Sequence, residues 1–399
     1  MRRAKGNLDA MPLLAPAPTR RDWLPVILLA VAVFVFNTTE FAPIALLSDI
    51  AADFGISASR AGLLVTIYAW MVALLSLPLM LLCAGMERRR LLGWVFLVFI
   101  ASHVLSGVAW SFPVLMASRI GVVCAHSIFW SINIPLALRV APASYGSRAL
   151  SILSAGSALA MVLGLPLGRV VGLWLGWRMT FLCVGGLALV VMAALLRRLP
   201  ELPSRHAGNL RSLPVLLRRP ALIGLYVLTV LLVTGHFTAY TYIEPFVARV
   251  ARGSENFTTL TLLLFGLTGI LGCYLFARDN GRHPTAMFAA PIALTAACLL
   301  LLRPAAAAPA LLLALCAVWG IAMAAFNLTL QYRVVQAAPE ATDIAMSMQS
   351  GIYNIGIGAG AFLGGLTADG PGLATIGFVA GGIAAAASLW SLYYLKRHF

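Results

Sequence analysis

Only two of the chain's 13 carboxylates, Glu40 and Glu244, fall well inside long apolar runs. A carboxyl in such surroundings is costly to keep charged unless it is paired or hydrated, which makes each a candidate for chemistry. Glu40 sits in Asn37-Thr38-Thr39-Glu40-Phe41, and helical spacing puts Phe34, Asn37, Glu40 and Phe41 on one face. A carboxyl held there changes its charge only as a proton arrives or leaves, which is the property of a proton carrier. The competing reading is a structural carboxyl bonded to a neighbouring helix. Glu244 precedes Pro245 near the end of its run, where an interfacial, hydrated position is the alternative to a proton role. His236, Tyr240 and Glu244 follow at i, i+4 and i+8 on one stripe. A free imidazole titrates near neutrality, so His236 is a further proton candidate, against the alternative of a neutral, hydrogen-bonded histidine.

A second pattern suits solute binding. Arg119, His126, Trp130 and Asn133 recur at i, i+7, i+11 and i+14 on one helical face, while Ile120, Val122, Ile128 and Ile132 point largely elsewhere. Lipid contact explains such a stripe poorly; the wall of a hydrated cavity explains it well. Asn37, Tyr68, Tyr240, Asn327, Gln331, Gln349, Tyr353 and Asn354 are the residues that could complete the wall. Aromatic rings cover the C–H faces of a small polyol while amides both donate and accept hydrogen bonds to its hydroxyls. Amphipathic drugs fit the same description, and each residue alone could instead join helices by hydrogen bonds.

The elements that must position these residues follow from composition. Of 399 residues, 61% are hydrophobic and 10% charged, against about 25% charged in soluble domains. Lipid, not water, must cover most of the surface. The net charge of +15 lies in short clusters between apolar runs rather than on one hydrated face, which argues against nucleic-acid binding. All six cysteines lie in apolar runs without a C-x-x-C pair, so neither a zinc site nor a disulfide framework is expected. The run after Asp22 is of full spanning length, which reads as a first membrane helix rather than a signal peptide.

A spanning helix needs about 20 apolar residues. Such segments fall near 24–47, 60–84, 91–111, 114–138, 148–172, 177–196, 221–247, 257–277, 284–302, 309–332, 342–367 and 372–395. Alternate loops hold about 21 and about six basic residues, which places both termini and the middle segment in the cytoplasm. That middle segment divides the chain almost equally. Ser151-x-x-Ser154 with Gly164-x-x-x-Gly168 recurs as Ser347-x-x-Ser350 with Gly360-x-x-x-Gly364 at an offset of 196, which also carries Thr38-Thr39-Glu40-Phe41 onto Thr234-Gly235-His236-Phe237. Two matches at one offset favour a duplicated six-helix unit. The expected architecture is all-α, with twelve membrane helices in two pseudo-symmetric bundles. Its parts are a tail 1–22, a bundle 23–198, a cytoplasmic linker 199–220 and a bundle 221–399. Gly164, Pro166, Gly168 and Gly172 let helices approach closely and bend.

From Trp23 to Arg397 these residues resemble the major facilitator superfamily, whose members rock two six-helix bundles around a central site. Gly164-x-Pro166-x-Gly168 resembles its antiporter motif, and Asn37-Thr-Thr-Glu-Phe-Ala-Pro-Ile44 resembles the first-helix signature of drug:proton antiporters. Several longer strings are similar to bacterial sugar efflux transporters of the arabinose-exporting type. They are Phe99-Ile-Ala-Ser-His-Val-Leu-Ser106, Ala125-His-Ser-Ile-Phe-Trp-Ser-Ile132, Ala160-Met-Val-Leu-Gly-Leu-Pro-Leu-Gly-Arg169, Tyr242-Ile-Glu-Pro-Phe-Val247 and Gly351-Ile-Tyr-Asn-Ile-Gly-Ile-Gly-Ala-Gly360. The resemblance implies proton-driven efflux of sugars such as arabinose and galactoside-like inducers from the cytoplasmic (inner) membrane of a bacterium, by a monomer in contact with lipid.

The loop Ala84-Gly-Met-Glu-Arg-Arg-Arg90 departs from the family pattern: it keeps the basic run but lacks the usual Asp, whereas Arg278-Asp-Asn-Gly-Arg282 is closer. A broad-specificity drug exporter is the alternative transport reading. An intramembrane enzyme is the remote one, since no H-E-x-x-H, G-x-S-x-G or Walker-type loop occurs. Neither cofactor nor metal is expected.

Overall fold

Lipid offers no partner to a backbone N–H or C=O, so a chain this apolar must close its hydrogen bonds within helices. The computed structural model describes residues 19–83, 85–142, 145–203, 216–339 and 342–398, and every regular element among them is helical. The long rods of the first half are α1 (Arg20–Ala45), α2 (Ala58–Leu82), α3 (Arg88–Gly107), α4 (Phe112–Val140), α5 and α6 (Trp177–Arg198). Within α5, Gly146–Leu159 continues through a π-helical turn, Ala160–Gly164, into Leu165–Leu175. The second half supplies α7 (Pro220–Tyr240), α8 (Glu255–Asp279), α9 (Pro284–Leu300), α10 (Pro309–Ala337), α11 (Thr342–Thr367) and α12 (Ile376–His398). Ten stretches among the described residues are long and apolar enough to cross a membrane; one of them, Met348–Arg397, holds both α11 and α12, and α9 is a shorter apolar helix. The expected spans are helices with ends displaced by a few residues, except that the seventh, expected over 221–247, ends at Tyr240: a turn at Thr241–Tyr242 breaks it, and Glu244 lies in the separate helical turn Ile243–Pro245 rather than on one stripe with His236 and Tyr240. Proline stands in the first turn of α4, α7, α9 and α10, where a missing N–H leaves nothing unsatisfied.

Residues 1–18 and 204–215 lie outside the described residues, so Arg205 and Arg211 of the expected linker do too. The start of that segment is strapped to the first half. Glu87 caps α3 by accepting from the backbone N–H of Arg89 (2.8 Å) and Arg90 (2.7 Å), and it also accepts from Leu202 N–H (2.6 Å). The Arg88 N–H donates back to Leu202 O (2.9 Å), and Arg139 Nη1 donates to Pro203 O (2.8 Å).

The duplication is visible in three dimensions. Gly164 packs against Thr38, and its counterpart 196 residues on, Gly360, packs against Thr234, itself the counterpart of Thr38. The turns after α5 and α11 sit on Gly176 (φ 86°) and Gly372 (φ 101°), again 196 apart. With ψ near 150° at both, these are conformations that essentially only glycine adopts. Two contacts join counterparts to each other: Phe41 stacks on Phe237 (6.2 Å between centroids) and Ser48 N–H donates to Glu244 Oε2 (3.0 Å). Only residues beside a two-fold axis can touch their own counterparts, so these contacts mark where the pseudo-axis runs.

The contacts that join the halves gather at the end opposite Arg88–Arg90, called here the far end, as against the basic end. There α2 packs on α11, and α8 packs on the Ala160–Leu175 part of α5. Tyr242 Oη donates to Ser59 O (3.5 Å) and Ser59 Oγ to Asp369, and midway along the same two helices Trp70 Nε1 donates to Ile355 O (3.3 Å). Arg169 and Glu244, both nearly fully buried, form an ion pair between the halves at 3.5 Å, and Arg169 Nη1 also donates to Ala45 O (2.9 Å). The far end is latched.

Candidate functional site

Midway along the first half, four helices bring ionisable groups together. From α1, Glu40 meets His126 of α4, with Oε2 3.6 Å from Nε2. The two side chains are 12% and 4% exposed, so little water competes with their interaction. Arg119, two turns along α4 from His126, lies with its guanidinium carbon 4.5 Å from the ring centre of Tyr68 on α2. Tyr68 in turn meets His126 edge-on at 5.6 Å. Beneath them Phe36 is stacked between Phe99 (4.1 Å) and Phe129 (4.0 Å), and all three rings are fully buried. The cluster has an apolar floor and charged groups above it.

A polarised chain of hydrogen bonds supports Arg119. Its Nη2 donates to Thr39 O (3.0 Å) and its Nη1 to Thr39 Oγ1 (3.2 Å). Thr39 Oγ1 lies 2.6 Å from His103 Nε2 on α3, and His103 Nδ1 lies 2.8 Å from Phe99 O. A carbonyl can only accept, so Nδ1 carries the hydrogen and Nε2 accepts from the threonine hydroxyl. Every group then has one direction to donate in, and Arg119 is held rigidly beside the Glu40–His126 pair.

The counterpart of Glu40 is His236 on α7, and its surroundings differ. Its ring stacks on Tyr240 (4.8 Å) and Phe265 (6.0 Å) and meets Phe237 (4.7 Å) and Trp319 (5.2 Å) edge-on. Its Nδ1 has no hydrogen-bond partner among the described residues. Aromatic faces, not charges, enclose it.

The remaining candidates are dispersed. Asn37 donates to Ser157 Oγ on α5 (3.1 Å), Trp130 touches His126 (5.8 Å between rings), and Asn133 is buried one turn further along α4. In the second half Tyr353 lies within electrostatic reach of Glu40 and of Tyr240, and beside Asn327. Gln349 Nε2 donates to Thr229 Oγ1 (3.1 Å), tying α11 to α7. Asn354 Nδ2 donates to Ser350 O (3.1 Å) within its own helix, and Gln331 is exposed. Glu244 is apart from the Glu40 cluster, at the latch. Gly164 and Gly168 allow α5 to lie against Thr38 of α1 and Thr180 of α6, with Pro166 buried between them.

Sequence reasoning passed over His103, Thr39 and Arg169. The cost of burying an ionisable group holds for histidine and arginine as well as for carboxylates, and in the apolar runs it picks out His103 and Arg169. Thr39 carries no such signal, since threonines bonded to their own helix are common in membrane spans. No group of three or more His, Cys, Asp or Glu that could hold a metal ion occurs among the described residues.

A duplicated helical bundle, latched at one end around a buried polar site, defines a secondary transporter. The profile of the Major Facilitator Superfamily matches residues 27–343, and the chain belongs to that superfamily. Its fold is similar to that of a bacterial homologue of the human lysosomal transporter Spinster in its inward-facing, unoccupied conformation. That match has a TM-score of 0.75 at 16% identity, over 96% of this chain and 99% of the other. The inward-facing, occupied conformation of that homologue matches with a TM-score of 0.74 at 16% identity, over 96% and 98%. Such identity speaks for the fold alone.

Proposed function

We propose that this transporter exports small sugars, of the arabinose and galactoside class, in exchange for protons across a bacterial cytoplasmic membrane. The basic end, with both termini, faces the cytoplasm, as the positive-inside rule requires. The latched far end then faces outward, and the state described is inward-facing.

The observation that carries the reading is the buried Glu40–His126 pair at 3.6 Å beside Arg119. Ion-pair reach without a close hydrogen bond leaves room for a proton to be gained or lost. With Glu40 charged, Arg119 balances it; with Glu40 protonated, the cluster carries one more positive charge. Each protonation state therefore favours a different packing of α1 against α4. Protonation from outside accompanies the return to the inward-facing state, and release of the proton to the cytoplasm resets the cycle. Gly164 of the antiporter-type motif, seated on Thr38 two residues from Glu40, places a smooth packing surface next to that change.

The test is Glu40→Gln in proteoliposomes. Proton-driven accumulation of labelled arabinose should vanish, while exchange of labelled for unlabelled arabinose without a gradient persists. Normal pumping by the variant would remove Glu40 from the proton path. A broad drug exporter is the second reading, favoured by the aromatic surroundings of His236. Competition decides between them: sugars should displace a labelled galactoside inducer and lipophilic dyes should not.

A further inference from the structure

A cavity of the first half opens sideways toward lipid, away from the Glu40 cluster and close to the basic end. It lies where the end of α2 meets α3 and α4, holds about 370 Å3, and is lined by apolar side chains throughout. Leu91, Trp94, Val95 and Val98 form one wall, on a single face of α3. Trp94 is 61% exposed and Val98 39%, so this wall faces the bilayer instead of being closed over by protein. Between Arg88 and Val98 the helix rises about 15 Å, so the groove runs from the helix end well into the hydrocarbon layer.

The mouth of the groove carries positive charge that the protein does not balance. Arg88, Arg89 and Arg90 occupy the first turn of α3, the end of a helix at which the dipole disfavours cations. Glu87 spends both carboxylate oxygens on the backbone N–H groups of Arg89, Arg90 and Leu202. Arg89 turns away to donate to Leu196 O on α6, and Arg90 is exposed. Arg88 is 7% exposed, yet its one side-chain hydrogen bond among the described residues is a long one, 3.5 Å, to Cys83 O. Arg139 of α4 lies within electrostatic reach of Arg88 and adds a further cation. None of these four guanidinium groups forms an ion pair among the described residues. A buried guanidinium has five N–H donors and is costly to leave unpaired, so Arg88 calls for an anion from outside the chain.

We propose that the groove is a binding site for one anionic phospholipid, with an acyl chain along α3 against Trp94 and Val98 and the phosphate held by Arg88 and Arg90. Chain and charge belong to one molecule because Cys83, whose carbonyl Arg88 touches, is itself part of the groove wall. A free phosphate would leave the apolar groove unfilled, and a zwitterionic headgroup would bring an ammonium that the arginines repel. The opposite wall is made by Cys124, Ala125 and Ile128 of α4. Helical spacing puts these three on the back of the turn that carries His126. The acyl chain therefore braces α4 behind the Glu40–His126 contact, whatever solute the protein moves.

The full chain, stripped of lipid in dodecyl maltoside and then mixed with a single phospholipid, tests this without any transport assay. Native mass spectrometry should show one phosphatidylglycerol retained per chain, and phosphatidylcholine with the same acyl chains retained about tenfold less. Peptide-resolved alkylation by N-ethylmaleimide locates the lipid. Phosphatidylglycerol should slow the reaction of Cys83 and Cys124, which line the groove, and leave the exposed Cys183 and Cys273 unchanged. Inorganic phosphate alone should slow none of them. Arg88→Gln combined with Arg90→Gln should lower phosphatidylglycerol retention about tenfold. Val98→Trp, which fills the groove from its open side, should make Cys124 labelling indifferent to lipid. Should the double arginine variant fail to fold, Arg90→Gln at its exposed position and Val98→Trp carry the test. Equal retention of the two lipids would reduce the groove to ordinary lipid contact and overturn the proposal. Selective retention with Cys83 and Cys124 unprotected would put the lipid elsewhere and overturn it too. Slowed labelling by phosphate alone, or full retention by the folded arginine variants, would refute the headgroup assignment.

Discussion

Glu40 and His236 occupy equivalent places in the two halves, each next in sequence to a member of the stacked pair Phe41 and Phe237, yet they live in opposite environments. Around Glu40 stand His126, Arg119 and the Thr39–His103 chain. Around His236 stand Phe237, Tyr240, Phe265 and Trp319. The scaffold has kept its symmetry: Gly164 on Thr38 repeats as Gly360 on Thr234, and Gly176 repeats as Gly372. The chemistry has not. Rocking two bundles about a shared axis needs matched packing surfaces in both halves, because the axis relates their contacts. The proton site proposed above needs charges that balance one another, and one such set would suffice for one exchange event. Packing was therefore constrained in both copies, and charge in only one.

The largest expected effect falls on this contrast. Glu40→Gln should abolish gradient-driven accumulation, and His236→Gln should leave it within twofold, both measured as arabinose uptake into inverted vesicles with an imposed proton gradient. Equal loss in both variants would show that the second half shares the proton role and would break the comparison. The next effect falls on the seam, where Glu244 bonds its own counterpart Ser48 and pairs with Arg169. Glu244→Leu strands a buried guanidinium, which costs about 3 kcal/mol in the latched state. Spin-label distances across the far end should therefore shift toward the open population about a hundredfold. Arg169→Met combined with Glu244→Leu should restore most of the latched population, since an apolar pair leaves no stranded charge. A double variant as open as the single one would mean that the carboxylate holds the far end through Ser48 rather than through Arg169.

Much of the frame was legible before any coordinates. Apolar runs of spanning length fix the helices because lipid leaves the backbone no other choice, and the recurrence of Ser and Gly at one offset exposed the duplication. The stripe Arg119, His126, Trp130 and Asn133 showed one face of α4, since helical periodicity is enough for that. What periodicity cannot reveal is which helix lies opposite. Glu40 and His126 are far apart in sequence, and only the packing of α1 on α4 makes them a pair. Gln349 has the residue type of a binding site but spends its amide on Thr229, while Asn354 gives its Nδ2 to Ser350 O of its own helix and leaves its Oδ1 without a partner among the described residues. His103 was missed for the converse reason. It looks like an isolated histidine until Thr39 is seen against it.

That histidine offers a smaller, sharper test of the contrast. If the charged half works because Arg119 is held in place, His103 acts at one remove, as a positioning residue. His103→Leu removes the acceptor for the Thr39 hydroxyl, and the maximal rate of proton-driven transport should fall about tenfold, about 1.4 kcal/mol. Half-saturation for arabinose should stay within twofold. His103→Gln, whose amide oxygen can accept the same hydrogen, should recover most of the rate. A loss that Gln does not rescue would assign His103 to packing against Phe99 and Phe181 instead.

The smallest effects separate the two basic-end loops. In the first half Glu87 is woven into the backbone. Partial burial pushes its carboxyl up, but the N–H groups of Arg89, Leu202 and Arg90 outweigh that and hold it below the ordinary glutamate value of 4.5. In the second half Asp279 accepts from the side chain of Arg278 at 2.9 and 2.7 Å, a contact between neighbours at the surface. A carboxyl depressed in the folded state stabilises it fully above its unfolded value, and that stabilisation fades as pH falls through the lower folded value. Thermal unfolding in detergent should therefore show an acid-side loss below about pH 4.5 that shrinks in Glu87→Gln, and Glu87→Ala should cost about 1 kcal/mol at neutral pH. Asp279→Asn should change neither curve, because an exposed ion pair between sequence neighbours contributes little. A matching acid-side change in Asp279→Asn would show that the two loops brace their halves alike, and that asymmetry between the halves is confined to the Glu40 cluster.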